Sequence, residues 1–315
     1  MAFDNLFVST WITLLMVEVA KPKILVTGST GMLGSHIFRL ASELVDYEIH
    51  AIGRSNLLNT KNFITCDLTN LSQFEITIDR LRPDFVIHCA ANVNVNACET
   101  DRPRTYDLHV GTSAILASRQ FVRQTIFVST DSVFNGKKGD YRPDDEKDPL
   151  NYYAISKSLA EDQFVHSSEN SVILRTNIFG YSTPLKGSLF EWSYKALKNQ
   201  EAISGFTNVF FNPLYVKSLA KFIVDSVLAK PVNPGIYHFG SADSISKFDF
   251  INLVASVFNF DHSLIKPTVA NHEIGGVARA LNTTLNTAET QKKLGLKFPS
   301  VKEDLTSLYN DIHHE

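Results

Sequence analysis

Tyr153 and Lys157 are the first residues in this sequence whose types and spacing could do chemistry. Residues four apart on a helix share one face, so the phenol and the ammonium project together. A cation beside a phenol favours the phenolate, and the spacing therefore predicts a pKa of Tyr153 lowered toward the working range of a general acid or base. The pattern is common by itself. It gains force here because Ser129 and Thr130, at the end of a predicted strand, offer a hydroxyl to a substrate carbonyl or alcohol.

A glycine-rich turn, GSTGMLG at residues 28–34, is the second candidate site. Its glycines are spaced GxxGxxG, directly after an apolar run and directly before a helical pattern. Glycines are needed where helix N-terminal N–H groups point at a pyrophosphate, because side chains there would block its approach. The turn therefore predicts a dinucleotide site. Its predicted contacts are Gly28, Thr30, Gly31, Met32, Leu33 and Gly34.

The end of the second predicted strand reads IGRS at residues 52–55 and carries no acidic residue. An Asp or Glu at this place binds the ribose of NAD, whereas a basic residue can accept the 2′-phosphate of NADP. Arg54 and the Ser55 hydroxyl therefore favour NADP(H) over NAD(H). A surface arginine without a ligand is the alternative interpretation.

The elements that must carry these residues alternate short β-branched runs with longer amphipathic segments. This pattern predicts an α/β fold, a Rossmann-type doubly wound parallel sheet, followed by a smaller C-terminal α/β lobe that binds substrate. The predicted strands are 23–27, 48–52, 63–66, 85–89, 125–128 and 172–175, and the predicted helices are 32–44, 105–123 and 153–166.

The pattern changes near residue 181, where helical stretches alternate with short strands. The sequence therefore predicts a dinucleotide-binding domain at 21–180 and, at 181–315, mainly a substrate lobe that returns to the sheet in places. Residues 1–20 are predicted to be an N-terminal extension, because Glu18 interrupts their apolar run and no Lys or Arg precedes it, unlike a secretory signal or membrane span. Either the true start lies downstream, with Met16 a candidate, or a short arm packs on the domain.

Composition narrows the class of protein. The 44% hydrophobic and 20% charged residues are close to soluble globular averages. A net charge of −3 with scattered basic residues provides no broad positive field for nucleic acid or anionic lipid, and we expect neither nucleic acid nor membrane as a partner. Three cysteines without CxxC spacing indicate reduced thiols in a cytoplasmic protein, and no metal site is expected.

Longer segments around these residues resemble a known family. STDSVFNG at 129–136 is similar to the motif STDYVFDG, and PLNYY at 149–153 to PLNxYG. LRTNIFG at 174–180 is similar to LRTxxxYG, and ALNTTLNT at 280–287 to the end of RPxNSxLDT. In this order they resemble the extended short-chain dehydrogenase/reductase family, and within it the nucleotide-sugar reductases of the dTDP-4-dehydrorhamnose reductase type. The resemblance runs from Lys21 to the C-terminus.

The resemblance implies a catalytic triad of Thr130, Tyr153 and Lys157. Tyr153 would protonate the oxygen formed as hydride arrives from the nicotinamide. Lys157 would hold the nicotinamide ribose and tune Tyr153, and Thr130 would orient the carbonyl. The implied reaction is the NADP(H)-dependent reduction of a nucleotide-activated 4-keto-6-deoxy sugar, and a homodimer is compatible with it.

Further contacts are implied by the same resemblance. Asp67 and Leu68 would lie near the adenine, and Ala90 and Ala91 would line the dinucleotide. In the second lobe, a sugar nucleotide would meet side chains of which Arg279 faces the diphosphate. The implied substrate contacts there are Asn177, Asn212 and Arg279.

Several positions depart from the family pattern. Ser132 replaces an aromatic residue, and ANVNVN at 91–96 replaces a segment that normally carries a threonine and an acid. His109 stands where the broader family has a helix asparagine, and Ala280 replaces a proline. Asn92 and Ser132 are therefore candidate substrate contacts, and they leave the identity of the sugar open.

The same residues also distinguish this sequence from enzymes with related activities. A 4,6-dehydratase needs an Asp-Glu pair after Thr130, but Asp131 is followed by Ser132. An epimerase-reductase of the GDP-fucose synthase type needs a cysteine near Ser132 and a histidine after Gly180, and neither is found. An NAD-dependent 4-epimerase stays open because it uses the same triad. So does a non-catalytic subunit that binds NADP and a partner enzyme, as the regulatory subunit of methionine adenosyltransferase does.

Overall fold

The computed structural model of the chain describes residues 20–167, 169–182, 187–228, 232–271 and 273–314. The predicted N-terminal extension, apart from its last residue, lies outside them. The strands are β1 Lys23–Thr27, β2 Glu48–Gly53, β3 Phe63–Thr65, β4 Phe85–His88, β5 Gln124–Val128, β6 Ser171–Thr176, β7 Ile178–Phe179, β8 Ile203–Phe206, β9 Phe210–Phe211, β10 Leu214–Tyr215, β11 Gly235–Phe239, β12 Ile245–Ser246, β13 Ile265–Thr268, β14 Glu273–Ile274 and β15 Val277–Ala278.

Helices flank and connect these strands. They are α1 Met32–Ala41, α2 Leu71–Leu81, α3 Val95–Thr100, α4 Arg102–Tyr106, α5 Thr112–Ala117, α6 Tyr152–Ser167, α7 Leu189–Lys198, α8 Val216–Leu228, α9 Lys247–Phe258, α10 Ala288–Leu294 and α11 Val301–His314. A π-helical turn, Asp107–Gly111, separates α4 from α5, and short 3₁₀ turns lie at Asp131–Val133 and His262–Leu264.

A seven-stranded parallel sheet in the order β11-β6-β5-β4-β1-β2-β3 forms the centre of the molecule. The chain runs from β1 through β2 to β3 at one edge and then crosses to β4, β5 and β6 on the other side of β1. This arrangement confirms the predicted Rossmann-type doubly wound sheet. The strand order reverses between β1 and β4, which is where open α/β sheets bind ligands at their carboxyl ends.

Two apolar layers cover the sheet. Successive residues of β1 alternate between them, because Ile24 and Val26 belong to one cluster and Leu25 to the other. Helix α1 contributes Leu33 and Ile37 to the first layer, four residues apart on one face. Helices α2, α5 and α6 pack on the second layer. The catalytic candidates on α6 are therefore anchored by a buried helix face.

The predicted helix at 105–123 is wrong in two respects. The π-helical turn Asp107–Gly111 interrupts it, and α5 ends at Ala117. The Thr112 hydroxyl donates to the Leu108 carbonyl at 2.5 Å within the widened turn. Beyond α5 the chain bends into the sheet, where the Arg123 N–H donates to the Asp84 carbonyl at 2.7 Å. The π turn carries His109, one of the departures from the family pattern.

Beyond β6 the described residues form small two-stranded sheets, β7 with β10, β8 with β13, β9 with β12 and β14 with β15. Strand β11 instead pairs with β6 in the central sheet. The boundary at residue 180 stays a prediction. Among the described residues, no helix has both the length and the apolar character that crossing a membrane requires. The three cysteines are free thiols, as predicted, whereas the cytoplasmic location stays a prediction.

Candidate active site

The glycine turn lies at the carboxyl ends of β1 and β4 and is shaped by two close approaches. Gly28 has φ +66°, and a Cβ there would stand 2.7 Å from the Ala90 nitrogen. A Cβ at Gly34 would stand 2.2 Å from the Gly28 carbonyl oxygen. Only glycine fits both positions without moving backbone. The turn therefore brings the N-terminus of α1 against the edge of β4.

The same turn has the features that a pyrophosphate site needs. Helix α1 begins after Gly31 with no side-chain cap on its first N–H groups. The Ser29 hydroxyl is buried and has no hydrogen-bond partner among the described residues. Helix N-termini carry partial positive charge and free N–H donors, which favour an anion. The turn residues therefore fit a dinucleotide.

Arg54 and Asp67 lie on the same edge of the sheet, beyond β2 and β3. Arg54 is exposed. The backbone N–H of Thr69 donates to Asp67 and is the largest cause of its lowered pKa, with the nearby Arg104 and Arg54 as lesser causes. Arg104 Nη2 stands 3.3 Å from the carboxylate. Arg54 and Arg104 therefore both face this edge, and of the two only Arg54 is a predicted cofactor contact.

Thr130, Tyr153 and Lys157 come together where β5 ends beside the first turns of α6. The Thr130 hydroxyl is close enough to the Tyr153 phenol to affect its pKa. Lys157 Nζ donates to the Val128 carbonyl at 2.7 Å and stands 3.9 Å from the centre of the Phe127 ring. Burial lowers the pKa of Lys157 to about 7. The three predicted triad residues are thus neighbours at the carboxyl edge of the sheet.

The predicted direction of the pKa shift at Tyr153 is wrong. Burial raises the pKa of Tyr153 to about 12, and the nearby Thr130 hydroxyl opposes this only in part. Lys157 is not among the causes, since its ammonium is directed to the Val128 carbonyl. The cost of burying the phenolate therefore outweighs the stabilisation that was expected from a cation four residues away on the same helix. Tyr153 is therefore a protonated phenol at neutral pH, which suits a proton donor.

Asp131, next to Thr130, accepts four hydrogen bonds and is 2% exposed. Its Oδ1 accepts from the hydroxyls of Thr130 and Ser132, each at 3.1 Å. Its Oδ2 accepts from Asn177 Nδ2 at 2.9 Å and from the Thr283 hydroxyl at 2.6 Å. Asp131 therefore ties the end of β5 to β6 and to the C-terminal segment. Two predicted substrate contacts, Ser132 and Asn177, are held by it.

A cavity of about 480 Å³ lies in the second lobe. Its lining residues are Gly187, Leu189, Trp192, Ser204, Gly205, Phe206, Lys247, Ile251 and Arg279. Arg279 Nε is buried with no hydrogen-bond partner among the described residues. Lys247 lies near both Arg279 and Asp131, and burial lowers the pKa of both cations. The cavity therefore combines an apolar wall with two desolvated positive charges.

Arg279 was predicted at this place, whereas Lys247 and Trp192 were not. Lys247 follows Ser246, the N-cap of α9, so its sequence signal was that of a helix start. Trp192 lies on α7 and is 44% exposed. Neither residue belongs to a motif, and only the packing of α7 against α9 brings them into one cavity. No sequence pattern therefore marks Lys247 or Trp192 as a site residue.

Asn212 is not brought to this site. Its Nδ2 donates to the Leu285 carbonyl and its Oδ1 accepts from the Leu285 N–H, both at 3.0 Å. It lines a second cavity of about 380 Å³ that shares no lining residue with the first. The Asn212 amide therefore braces the backbone at Leu285, and its contact with a substrate stays a prediction. Asn92, in contrast, lies half-buried just beyond β4 and Ala91.

Buried histidines predict loss of stability in mild acid. Burial lowers the pKa of His88 and His238 to about 3 and that of His109 to about 2. Each histidine stays neutral when folded but gains a proton near pH 6.5 when unfolded, so falling pH favours unfolding. Asp304, whose pKa burial raises to about 6, opposes this in part. We expect the free energy of unfolding to fall by about 2 kcal/mol between pH 6.5 and 5.5.

Urea unfolding at these two pH values measures this change. His238→Gln should reduce the pH dependence by nearly half, because one neutral histidine contributes about 1 kcal/mol of the net change. His262→Gln, at an exposed position, is the matched control and should leave the dependence unchanged. A pH-independent free energy of unfolding in wild type would contradict the prediction.

This chain is similar to several known proteins over most of its length. Methionine adenosyltransferase 2 subunit beta of Xenopus tropicalis is 26% identical, over 90% of this chain and 86% of that protein. dTDP-4-dehydrorhamnose reductase of Aggregatibacter actinomycetemcomitans is 27% identical, over 79% of this chain and 82% of that protein. The crystal structure of dTDP-4-dehydrorhamnose reductase from Bacillus anthracis str. Ames in complex with NADP is 25% identical, with a TM-score of 0.78 over 93% of this chain and 99% of that one.

The family model of the RmlD substrate binding domain matches residues 22–314. The match spans the glycine turn, the triad and the cavity of the second lobe. This chain belongs to the RmlD substrate binding domain family.

Proposed function

We propose that this protein reduces the ketone of a nucleotide-activated 4-keto-6-deoxy sugar with NADPH. The observation that carries the proposal is the position of Thr130 and Tyr153 at the carboxyl end of β5, next to β4, whose end adjoins the glycine turn. The cavity with Lys247 and Arg279 lies in the adjoining lobe, and Asp131 is close enough to Lys247 to oppose the lowering of its pKa. The residues that fit a dinucleotide therefore lie near Tyr153, the proton donor. The cavity with an apolar wall and two cations lies in the lobe next to them.

The residues that would hold NADPH lie along the carboxyl edge of the sheet. When bound, the cofactor supplies the hydride. The α1 N-terminus would bind the pyrophosphate, and Lys157 the nicotinamide ribose. The remaining contacts would come from Thr30, Met32, Leu33, Arg54, Ser55, Asp67, Leu68, Ala90 and Ala91.

Tyr153 serves as the proton donor in this proposal. Its raised pKa keeps the phenol protonated, so a proton is available when the carbonyl oxygen gains negative charge. Thr130 would orient the carbonyl beside that phenol by turning to it the hydroxyl proton that is otherwise donated to Asp131 Oδ1 at 3.1 Å. The chain therefore supplies orientation and one proton.

Lys247 and Arg279 would bind the diphosphate of the sugar nucleotide. Both are desolvated, so an anion that enters the cavity meets donors with little competition from water. Trp192 and Phe206 line the same cavity and offer aromatic faces for a base. A diphosphate joined to an aromatic base matches this combination of groups.

Incubation of the protein with NADPH and a panel of nucleotide 4-keto-6-deoxy sugars tests the proposal. We expect loss of NADPH absorbance together with formation of the 4-hydroxy sugar. An NAD-dependent 4-epimerase would instead interconvert nucleotide sugars without net oxidation of NADPH. No reaction with any ketone of the panel would contradict the proposal.

Similarity to the methionine adenosyltransferase subunit favours a second candidate function, a regulatory subunit that binds NADP and a partner enzyme. Stoichiometric co-purification with a partner, together with the absence of ketone reduction, would support it. A homodimer also stays a proposal, and the mass of the purified protein in solution tests it.

Arg54→Gln should weaken NADPH binding by about tenfold or more and change NADH binding by less than about twofold. The reason is that a guanidinium can hydrogen-bond the 2′-phosphate, and a charged hydrogen bond contributes about 1.5–3 kcal/mol. Fluorescence titration with both cofactors measures the change. Lys61→Gln removes another exposed cation near β3 and is the matched control. Equal weakening for NADPH and NADH would show that Arg54 does not select the phosphate.

A further inference from the structure

His109 lies in the π-helical turn between α4 and α5 and is 1% exposed. Its own carbonyl accepts from the Ser113 hydroxyl at 2.6 Å. The imidazole is thus held at a fixed place between the segment that follows β4 and the start of α6. These two segments carry Asn92 and Tyr153.

The two ring nitrogens of His109 join these segments. The Asn92 backbone N–H donates to Nε2 at 2.9 Å, and Nδ1 stands 2.8 Å from the Ser156 hydroxyl oxygen. The Ser156 hydroxyl donates to the Tyr153 carbonyl at 2.9 Å. A backbone N–H can only donate, so Nε2 accepts and the neutral ring carries its proton on Nδ1. Each donor in this chain of three hydrogen bonds therefore has an acceptor.

The surroundings keep the ring neutral. Burial, and then the charges of Lys157 on α6 and His88 on β4, lower the pKa of His109 to about 2. The ring also lies edge-to-face with the Tyr153 ring, with centroids 6.0 Å apart and an interplanar angle of 82°. One side chain therefore contacts the proton donor directly and also reaches it through Ser156.

An asparagine, which the broader family has at this position, could not make both contacts. Its amide overlies the Cγ, Nδ1 and Cδ2 region of an imidazole, so it reaches Ser156 but not the Asn92 N–H. The ring spans the gap because its two nitrogens lie on different sides of one rigid plane. The substitution at His109 therefore changes how the segment after β4 is joined to α6.

We propose that His109 is a positioning residue, whose neutral Nδ1–H imidazole fixes the Asn92 segment against the Tyr153 helix for the ketone reduction proposed above, on which this inference rests. The Asn92 segment continues from Ala90 and Ala91 at the dinucleotide edge. In the proposed reduction, Tyr153 donates a proton to the substrate that Asn92 would also contact. A displacement of about 1 Å between reacting groups lowers the rate by about 10²-fold. Loss of the His109 contacts should therefore lower kcat.

His109→Asn, His109→Gln and Ser156→Ala test the inference. A glutamine amide oxygen reaches the Nε2 position and keeps the Asn92 contact, whereas asparagine keeps only the Ser156 contact. Each variant should lower kcat by about 10- to 100-fold, with KM for NADPH and for the sugar within about threefold of wild type. His109→Asn combined with Ser156→Ala should fall no further than His109→Asn alone, because both substitutions break one chain of contacts. His262→Asn, at an exposed position, should have the wild-type kcat.

A merely structural role would give a different result. It would lower the unfolding temperature and the fraction of active protein but leave kcat unchanged per NADPH-binding site. Wild-type kcat per site in His109→Asn would therefore overturn the inference while the proposed function stands.

Nitrogen NMR of labelled histidine gives a readout that does not depend on activity. We expect the nitrogen shifts of His109 to show a protonated Nδ1 and an unprotonated Nε2. Neither shift should change when the pH is varied between about 5 and 8. A proton on Nε2, or titration near neutral pH, would overturn the inference whether or not a ketone is reduced. If wild type reduces no ketone, the proposed function fails, and the nitrogen spectrum alone decides whether His109 makes this join.

Discussion

Tyr153→Phe is expected to lower kcat for ketone reduction by about 10²- to 10⁴-fold and to leave the NADPH dissociation constant within about threefold of wild type. Phenylalanine keeps the ring that packs edge-to-face against His109. It removes only the hydroxyl, which lies near that of Thr130. The loss therefore reports proton transfer and not packing.

Single-turnover oxidation of NADPH and a separate fluorescence titration measure the two quantities. Tyr152→Phe is the matched control, since it removes a phenol hydroxyl one residue away and keeps a ring that Arg102 covers at 4.9 Å. The control should have the wild-type kcat. Parallel loss of kcat and of NADPH binding in Tyr153→Phe would mean that this residue supports the fold of the site.

Replacement of both cavity cations, Lys247→Met with Arg279→Met, should raise KM for the sugar nucleotide by about 10²-fold or more. Each charge-assisted hydrogen bond to a phosphate contributes about 1.5–3 kcal/mol, and two are removed together. The unfolding temperature should not fall, because Arg279 Nε has no partner among the described residues and burial disfavours both charges. Methionine also suits the apolar wall of the cavity.

Initial rates at varied sugar-nucleotide concentration, with NADPH saturating, measure this effect. Lys266→Met removes an exposed cation from β13 in the same lobe and is the control. An unchanged KM in the double variant would place the diphosphate elsewhere.

The fold could be predicted because its strands are buried on both faces. In β1 the run after Lys23 is apolar or β-branched, and the glycine turn follows it at once. A parallel sheet produces such continuous apolar runs, and its crossover helices produce the amphipathic segments between them. Helix α2 has no counterpart among the predictions, and only its Phe74 and Ile78 are buried.

The members of the triad could be predicted, but their electrostatics could not. Spacing places Tyr153 and Lys157 on one face, yet burial and the Val128 carbonyl set their pKa values. The hydrogen bonds of Asp131 could not be predicted either, because its partners include Asn177 and Thr283, which are distant in sequence. Such contacts depend on tertiary packing, which has no local sequence signal.

Transfer of deuterium from NADPH labelled at nicotinamide C4 to the sugar tests the central claim most directly. With a nucleotide 4-keto-6-deoxy sugar as substrate, we expect one deuterium at C4 of the product, seen by NMR, from one of the two stereospecifically labelled cofactors. Tyr153→Phe should form this product at least about 10²-fold more slowly. A product without deuterium, or no product from any ketone of the panel, would contradict the account.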